Sequence, residues 1–387
     1  MPVLEVAALA PVPESPPHPP PSRAGGPVAI LVGPLGVGGI GAIVVQQARS
    51  LLENGFAVDV LVLDRASPFL GQLPRGANVV RLASLHPVLG VAALAWYLRR
   101  RRPRALLSHR PRFVRQLRLA ARLAGHRPRL VAVIHNHLSA QLARQADSVR
   151  LRRAVESLAD CDRLVAVSRG VAADAEQLIG PLPHPIEVAY PALAVDRIRA
   201  LATQPARAPR LATRPADYLV AVGRLEAEKD FPTLLEAFSR LDPADAPLDL
   251  VVLGEGRERA TLEAQAERLG CSTRVHLAGF ADNPYPWIAG ARLLVLSSLH
   301  EAFGIVLAEA LALGVPVVAT DCPSGPREIL DGGRYGRLVP PRDPAALAAA
   351  IAATLHEPPD RADLEAAVRR FTPEASMAAY LAALGLA

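Results

Sequence analysis

The chain has almost no lysine. Lys229 is the only one among its 43 basic residues, and every other is arginine. A composition that uses arginine wherever a cation will serve leaves lysine where a compact ammonium is needed rather than a planar fork. Aromatic residues are also scarce, at 4%, and form neither a stacking pattern nor a recognised nucleic-acid motif with the basic clusters, so no nucleic-acid partner is expected. There are three cysteines, Cys161, Cys271 and Cys322, far apart and without metal-ligand spacing. They read as reduced thiols, as in a cytoplasmic protein. No apolar run reaches the roughly 18 residues a membrane span requires; the longest, Pro87–Leu98, runs straight into arginines. Residues 1–27 are proline-rich and lack a basic leader, so they read as a disordered tail rather than a signal peptide.

A length of 387 residues suits two domains, each able to bury its own core. Charge divides unevenly between them. Residues 28–200 hold 24 arginines against 11 acids, while residues 201–387 hold 18 basic residues against 24 acids. The excess is densest in residues 99–130, with 12 arginines and no acid, beside an apolar stretch containing Trp96 and Tyr97. Arg112, Arg115, Arg118 and Arg122 recur at helical spacing on one stripe. The segment Arg99–Arg129 reads as a surface for anionic lipid headgroups, each arginine near such a surface contributing about 1 kcal/mol. A solvated face inflated by arginine-rich composition is the competing reading.

Hydrophobic patterning gives alternating strands and helices. Val28–Val32 is a buried strand, followed by a glycine loop (Gly33 to Gly39), a helix over 40–54 and a second strand from Val58, a Rossmann-like opening. Gly36, Gly38 and Gly41 spell G-x-G-x-x-G with Asp64 beyond the second strand, a weak dinucleotide signal, and no Gly-Lys-Ser/Thr of a P-loop follows. Leu130–Ile134 is another strand, ending in His135-Asn136-His137, and a histidine just past a strand's carboxyl end faces the cleft of a doubly wound domain. Asp160-Cys161-Asp162 spells D-x-D but reads as a plain helix-to-strand turn.

The stretch from Leu293 to Pro340 organises the rest. Leu293–Leu296 is a buried strand, Ser297–Gly304 a polar loop, and Ile305–Leu313 an apolar helix stopped by Gly314 and Pro316; Val315–Thr320 is the next strand. In such a unit the ligand sits outside the carboxyl ends of the strands, with phosphates at a helix N-terminus. Glu301 lies in the loop and Glu309 in the helix, roughly 12 Å apart if the intervening chain were helical. They could meet the two ends of one ligand, or be ordinary solvated carboxylates near a helix start.

These residues resemble the donor-site signature of retaining GT-B glycosyltransferases of family 4. Glu301 and Glu309 match its Glu-x7-Glu pair, with Ser297-Ser298 before it and the run Pro316–Glu328 after it. Ala302 stands where the family usually has glycine. Gly223-Arg224 followed by Lys229 resembles the family's arrangement after the first strand of its carboxy-terminal domain, and Gly38-Gly39 its amino-terminal loop. The fold implied is α/β: GT-B, two Rossmann-like domains facing across a cleft. The expected divisions are an acceptor-side domain over 28–200, a linker over 201–216, a nucleotide-sugar-binding domain over 217–372, and a terminal helix in 373–387 crossing back to the first domain.

The resemblance further implies transfer of a hexose-type sugar, with retention, from a nucleoside diphosphate (uridine favoured) to a saccharide or lipid-linked acceptor of bacterial-type glycan assembly. Glu301 would hold sugar hydroxyls, and Glu309 the ribose. Arg224, Lys229 and the backbone N–H groups at Phe303, Gly304 and Ile305 would hold the diphosphate. Phe280 would lie by the base, Gly38 and Gly39 by the donor phosphates, and His135 at the reacting centre. Fixed cations beside the leaving diphosphate stabilise the transition state more than the ground state, so neither a metal nor a cofactor is expected. A sugar-nucleotide epimerase, a dinucleotide oxidoreductase on the glycine loop and a non-catalytic sugar-nucleotide binder are the alternatives. The protein is expected in the cytoplasm or on the inner face of the membrane.

Overall fold

The structure, a computed structural model, describes residues 25–33, 39–62, 68–82, 87–144, 148–211, 216–242 and 248–387. Residues 1–24, and Gly36, Gly38 and Asp64 of the amino-terminal motif, lie outside that set. Gly26 and Pro27, expected in the tail, run beside Arg104: its backbone N–H donates to the Pro27 carbonyl (3.0 Å) and its side chain to that of Gly26 (2.9 Å).

Two parallel sheets carry the chain. The first has strands β1 (Val28–Val32), β2 (Val58–Val62), β3 (Asn78–Arg81), β4 (Ala105–Ser108), β5 (Arg129–Ile134), β6 (Arg163–Ala166) and β7 (Glu187–Val188), in the spatial order β3-β2-β1-β4-β5-β6-β7. The second has β8 (Tyr218–Val222), β9 (Asp249–Leu253), β10 (Val275–Gly279), β11 (Leu293–Leu296), β12 (Val317–Thr320) and β13 (Arg337–Val339), in the order β10-β9-β8-β11-β12-β13. In both, the winding reverses once, between β1 and β4 and between β8 and β11. Such switch points open the crevice where doubly wound sheets bind ligands.

The central strands are apolar on both faces because helices cover both. In β11, Leu294 and Leu296 join one core of the second lobe, and Leu293 and Val295 the other. Among the described residues, one charged side chain is buried in the first sheet. Asp59 of β2 is 1% exposed, takes two hydrogen bonds from Arg101 (2.8 and 2.9 Å) and is also bonded by Tyr97 and Asn78. These partners hold its carboxyl below the usual range even though burial alone would raise it.

The chain changes lobes earlier than its composition indicates. Ala189 belongs to the first core, but Leu193 and Ile198 are buried in the second, and the helix Val195–Ala202 packs on the helices Tyr285–Ala289 and Ile305–Ala312. The crossing therefore falls at 189–190 rather than at 200. What looked like a free linker is strapped to the second lobe: the Trp287 indole donates to the Arg207 carbonyl and Arg210 N–H to that of Ala278. The return crossing follows Phe371. The last helix, Pro373–Leu384, buries Met377, Tyr380, Ala383 and Leu384 in the first core, and Arg129 donates to the Ala383 carbonyl at 2.8 Å.

The arginine stripe lies on the helix Val114–Ala124, where Arg115 and Arg122 are exposed beside Leu119 (48%) and Leu123 (63%). Trp96, 63% exposed on the helix Pro87–Arg101, has the Arg100 guanidinium over its ring. Arg118 does not join the stripe as a free cation; it pairs with Asp160 at 2.5 Å. Among the described residues no helix is long and apolar enough to cross a membrane.

Candidate active site

The carboxyl ends of β8 and β11 flank the second switch point, and the loops leaving them meet. After β8, Gly223 turns the chain and its missing side chain makes room for the Lys229 stem: a Cβ there would stand 3.3 Å from Lys229 Cδ and Cε. After β11, Ser297 donates to the Lys229 carbonyl (2.8 Å) and Leu299 N–H to that of Glu228 (2.9 Å). The Lys229 ammonium then reaches Glu301 Oε1 at 2.5 Å, and Ser298 donates to the same oxygen at 2.7 Å. Both side chains are largely enclosed, at 18% and 11% exposure. The lone lysine of the chain and the first glutamate of the Glu-x7-Glu pair thus form one ion pair across 72 residues of sequence.

Arg224 does not converge with them. Its guanidinium is 68% exposed and bonds Glu228, the carboxylate four residues on. The nearest anion holds an otherwise unengaged guanidinium, so Arg224 stands at the rim of the cleft.

Glu301 ends its loop in a bridge to Ser324, and Gly304, at φ +85°, opens the helix Ile305–Ala312. That conformation is open to glycine without strain. Glu309 lies in the second turn of this helix, partly enclosed, and accepts a hydrogen bond from the Tyr285 hydroxyl at 2.9 Å. Burial pushes its carboxyl up to about 7, against which the Tyr285 bond acts only in part. Being raised above the ordinary value of 4.5, this group makes stability fall as pH rises from about 4.5 to 7, since there the folded state holds the extra proton. Glu309→Gln keeps the Tyr285 bond and removes the titration. It should match the wild type in urea unfolding at pH 4.5 and exceed it by about 2 to 3 kcal/mol at pH 8. An equal gap at both pH values would refute the assignment.

From the first lobe, His135 follows β5 as expected and is partly enclosed; its Nε2 lies 2.7 Å from Nδ1 of His109, which follows β4. Burial, reinforced by the charge of Arg110, pushes His135 down to about 3, and His109 is also driven well below its usual value. Both are neutral imidazoles at neutral pH. His137, by contrast, is tied to Asp174 at 3.1 Å, the carboxylate that accepts from Leu138 N–H at the start of the next helix. Gly39 begins the helix Gly39–Glu53, and Phe280 is 43% exposed past β10, two strands from β8. The D-x-D acids are held by arginines, Asp160 by Arg118 and Asp162 by Arg127. Among the described residues no cluster of three or more metal-ligating side chains occurs.

The lobes touch where the chain leaves β6 and β12. Glu328 accepts from Arg169 N–H and Gly170 N–H (both 2.9 Å) at the N-terminus of the helix Arg169–Ile179, and from the Tyr190 hydroxyl (3.0 Å). Ser324 lies directly against Gly170, where a Cβ would come within 2.6 Å of it. Its φ is +83° and ψ −128°, a glycine conformation, and its hydroxyl is buried with no partner among the described residues. Such a backbone costs about 1–3 kcal/mol, of which the looser unfolded chain of a glycine variant would return about 0.5–1 kcal/mol. Ser324→Gly should therefore stabilise the protein by about 1 kcal/mol, read as a raised urea midpoint at unchanged slope; a lowered midpoint would rule this out.

Sequence comparison agrees with the fold and with the loops that meet in it. Residues 37–197 match the family described as "Glycosyltransferase Family 4" and residues 206–371 that described as "Glycosyl transferases group 1". The two follow one another in order, the first covering β2 to β7 and the second β8 to β13. The chain belongs to glycosyltransferase family 4. Its two-lobed fold is GT-B. HepE of Anabaena, solved with UDP and glucose, superposes with a TM-score of 0.76 at 20% identity, over 93% of this chain and 100% of that one. The lipopolysaccharide outer core galactosyltransferase WaaB does so at 0.71 and 18%, over 92% and 99%.

Two curated relatives of this family-4 chain are N-acetylgalactosamine-N,N'-diacetylbacillosaminyl-diphospho-undecaprenol 4-alpha-N-acetylgalactosaminyltransferase of Campylobacter jejuni and the lipopolysaccharide core biosynthesis glycosyltransferase LpsE of Rhizobium meliloti. The first is 30% identical over 60% of each chain. The second is 37% identical over 43% of this chain and 50% of its own. The matched region thus spans little more than half the length of these relatives.

Among the residues of this site, Glu328, Tyr285 and His109 were not singled out from sequence. His109 carried a signal of the same kind as His135, a polar residue directly after an apolar strand. Glu328 closes the matched run Pro316–Glu328 but was given no role, and Tyr285 had no signal, because each acts on a residue distant along the chain.

Proposed function

We propose that this protein moves a hexose-type sugar, with retention, from a nucleoside-diphosphate donor, UDP by preference, to a saccharide or lipid-linked acceptor in the building of a bacterial surface glycan. The observation that carries the reading is the Lys229–Glu301 pair at the switch point of the second sheet. A donor laid there meets a compact cation at its diphosphate and a carboxylate at its sugar hydroxyls. Phe303, Gly304 and Ile305 supply helix N-terminal N–H groups to the phosphates. Arg224, already at the rim, exchanges Glu228 for the incoming phosphate. Glu309, one helical turn deeper, takes the ribose hydroxyls, Phe280 lies by the base, Gly38 and Gly39 lie by the donor phosphates, and His135 stands at the reacting carbon. Two side-chain cations and a helix terminus neutralise the departing diphosphate, so the scheme calls for no metal and no cofactor.

The acceptor reading draws on the relatives whose names specify a diphospho-undecaprenol substrate and a lipopolysaccharide core. It agrees with the arginine face, where Trp96, Leu119 and Leu123 are exposed among cations and suit the inner face of a membrane. The test is to present UDP- and GDP-sugars and follow slow hydrolysis and the anomer released. Retained configuration is expected. Inversion, interconversion of the free donor, or binding without any cleavage would each overturn the scheme. Sedimentation with anionic against neutral vesicles addresses the membrane face separately, and equal binding to both would remove it.

A further inference from the structure

His109 is a buried titratable group to which the scheme above assigns nothing. It is 2% exposed at the first switch point, where its backbone N–H extends the pairing of β4 with β1 by donating to the Leu31 carbonyl at 3.2 Å. Its Nδ1 lies 2.7 Å from His135 Nε2, the ring planes are within 23°, and the centroids are 5.0 Å apart. That separation is about one hydrogen bond plus two ring radii. The rings therefore meet edge to edge through their nitrogens, not face to face, and one proton lies between them.

Which ring owns that proton decides what His135 shows to the cleft. If His135 donated, His109 would carry its own proton on Nε2. That nitrogen is buried and has no partner among the described residues, and an orphaned N–H is the rarest kind of buried polar group. The Arg110 charge, which reaches both rings, also favours a bare lone pair there over the positive end of an N–H dipole. If His109 donates, the only orphan is that lone pair.

We propose that His109 is a positioning residue: it carries its proton on Nδ1, donates to His135 Nε2, and so holds His135 with its own proton on Nδ1, the ring edge left accessible to the cleft. His135 then meets the substrate as a hydrogen-bond donor to oxygen rather than as a proton acceptor. The tautomer stands on geometry alone; its effect on turnover rests on the function proposed above.

Nitrogen-15 NMR of the full chain, labelled at histidine, reads the tautomer directly. A pyrrole-type Nδ1 and a pyridine-type Nε2 are expected at His135; the opposite assignment overturns the proposal whether or not any sugar nucleotide is turned over. His109→Asn places an amide N–H where Nδ1 stood and should keep both the tautomer and the turnover, the latter within about twofold. His109→Asp offers only acceptors there and should reverse the tautomer, with kcat lower by about tenfold and the donor KM unchanged. An unaltered His135 spectrum and unaltered kcat in a folded Asp variant would overturn it. If that variant fails to fold, the wild-type spectrum decides.

Discussion

Lys229→Ala is expected to lower turnover of the sugar-nucleotide donor by about 10²–10³-fold, the usual effect of removing one fixed group that stabilises developing negative charge. The ammonium is positioned from three sides: Gly223 admits its stem, Ser297 holds its carbonyl, and Glu301 takes its head. All three contacts are made within the protein itself, so the cation is held in place before charge develops. The loss should fall on kcat more than on the donor KM, because the diphosphate gains charge only toward the transition state. Lys229→Arg restores the charge but not the shape, since a planar guanidinium cannot occupy the slot against Gly223 and face Glu301 as a point charge. It should recover only a small part of the rate. Near-normal turnover of the alanine variant would take Lys229 out of the reaction.

Gly325→Ala should be a severely damaging single methyl in the second lobe. An added Cβ would stand 1.7 Å from the Phe303 carbonyl oxygen and 2.3 Å from the Phe303 Cα. Both are backbone atoms, so no side chain can rotate away. Phe303 is 4% exposed and leads into the Gly304 turn that aims the N-terminus of the next helix at the cleft. Relief must come from separating the two backbone segments that join at the Glu301–Ser324 bridge. We expect about 3 kcal/mol of lost stability, at the upper end for overpacking, and turnover reduced by about a hundredfold even where the variant folds. Urea unfolding with a donor assay on the same sample checks both. A stable variant of ordinary activity would show that the two segments part freely.

Much of this could be read before any coordinates. The runs Val28–Val32 and Leu293–Leu296 are apolar at every position, and that signal survives in a single sequence because strands covered on both faces cannot afford polar residues. The solitary lysine pointed to its site because the rest of the composition had removed its kind. What was not legible depended on distance along the chain. Arg224 was expected with Lys229 at the diphosphate, but Glu228, four residues on, holds it. Glu328 engages the first lobe across 158 residues, and no periodicity records such a contact. The first domain, expected to run to 200, gives way at 189–190, and Leu193 and Ile198 have the same apolar character in either core. Which lobe they pack on is decided by shape.

A chain with one lysine offers amine-directed chemistry a single side-chain target, apart from the terminal amine. Here that target is largely enclosed against Glu301, so an acylating or aldehyde reagent becomes a reporter of occupancy: labelling should slow in the presence of nucleotide sugar.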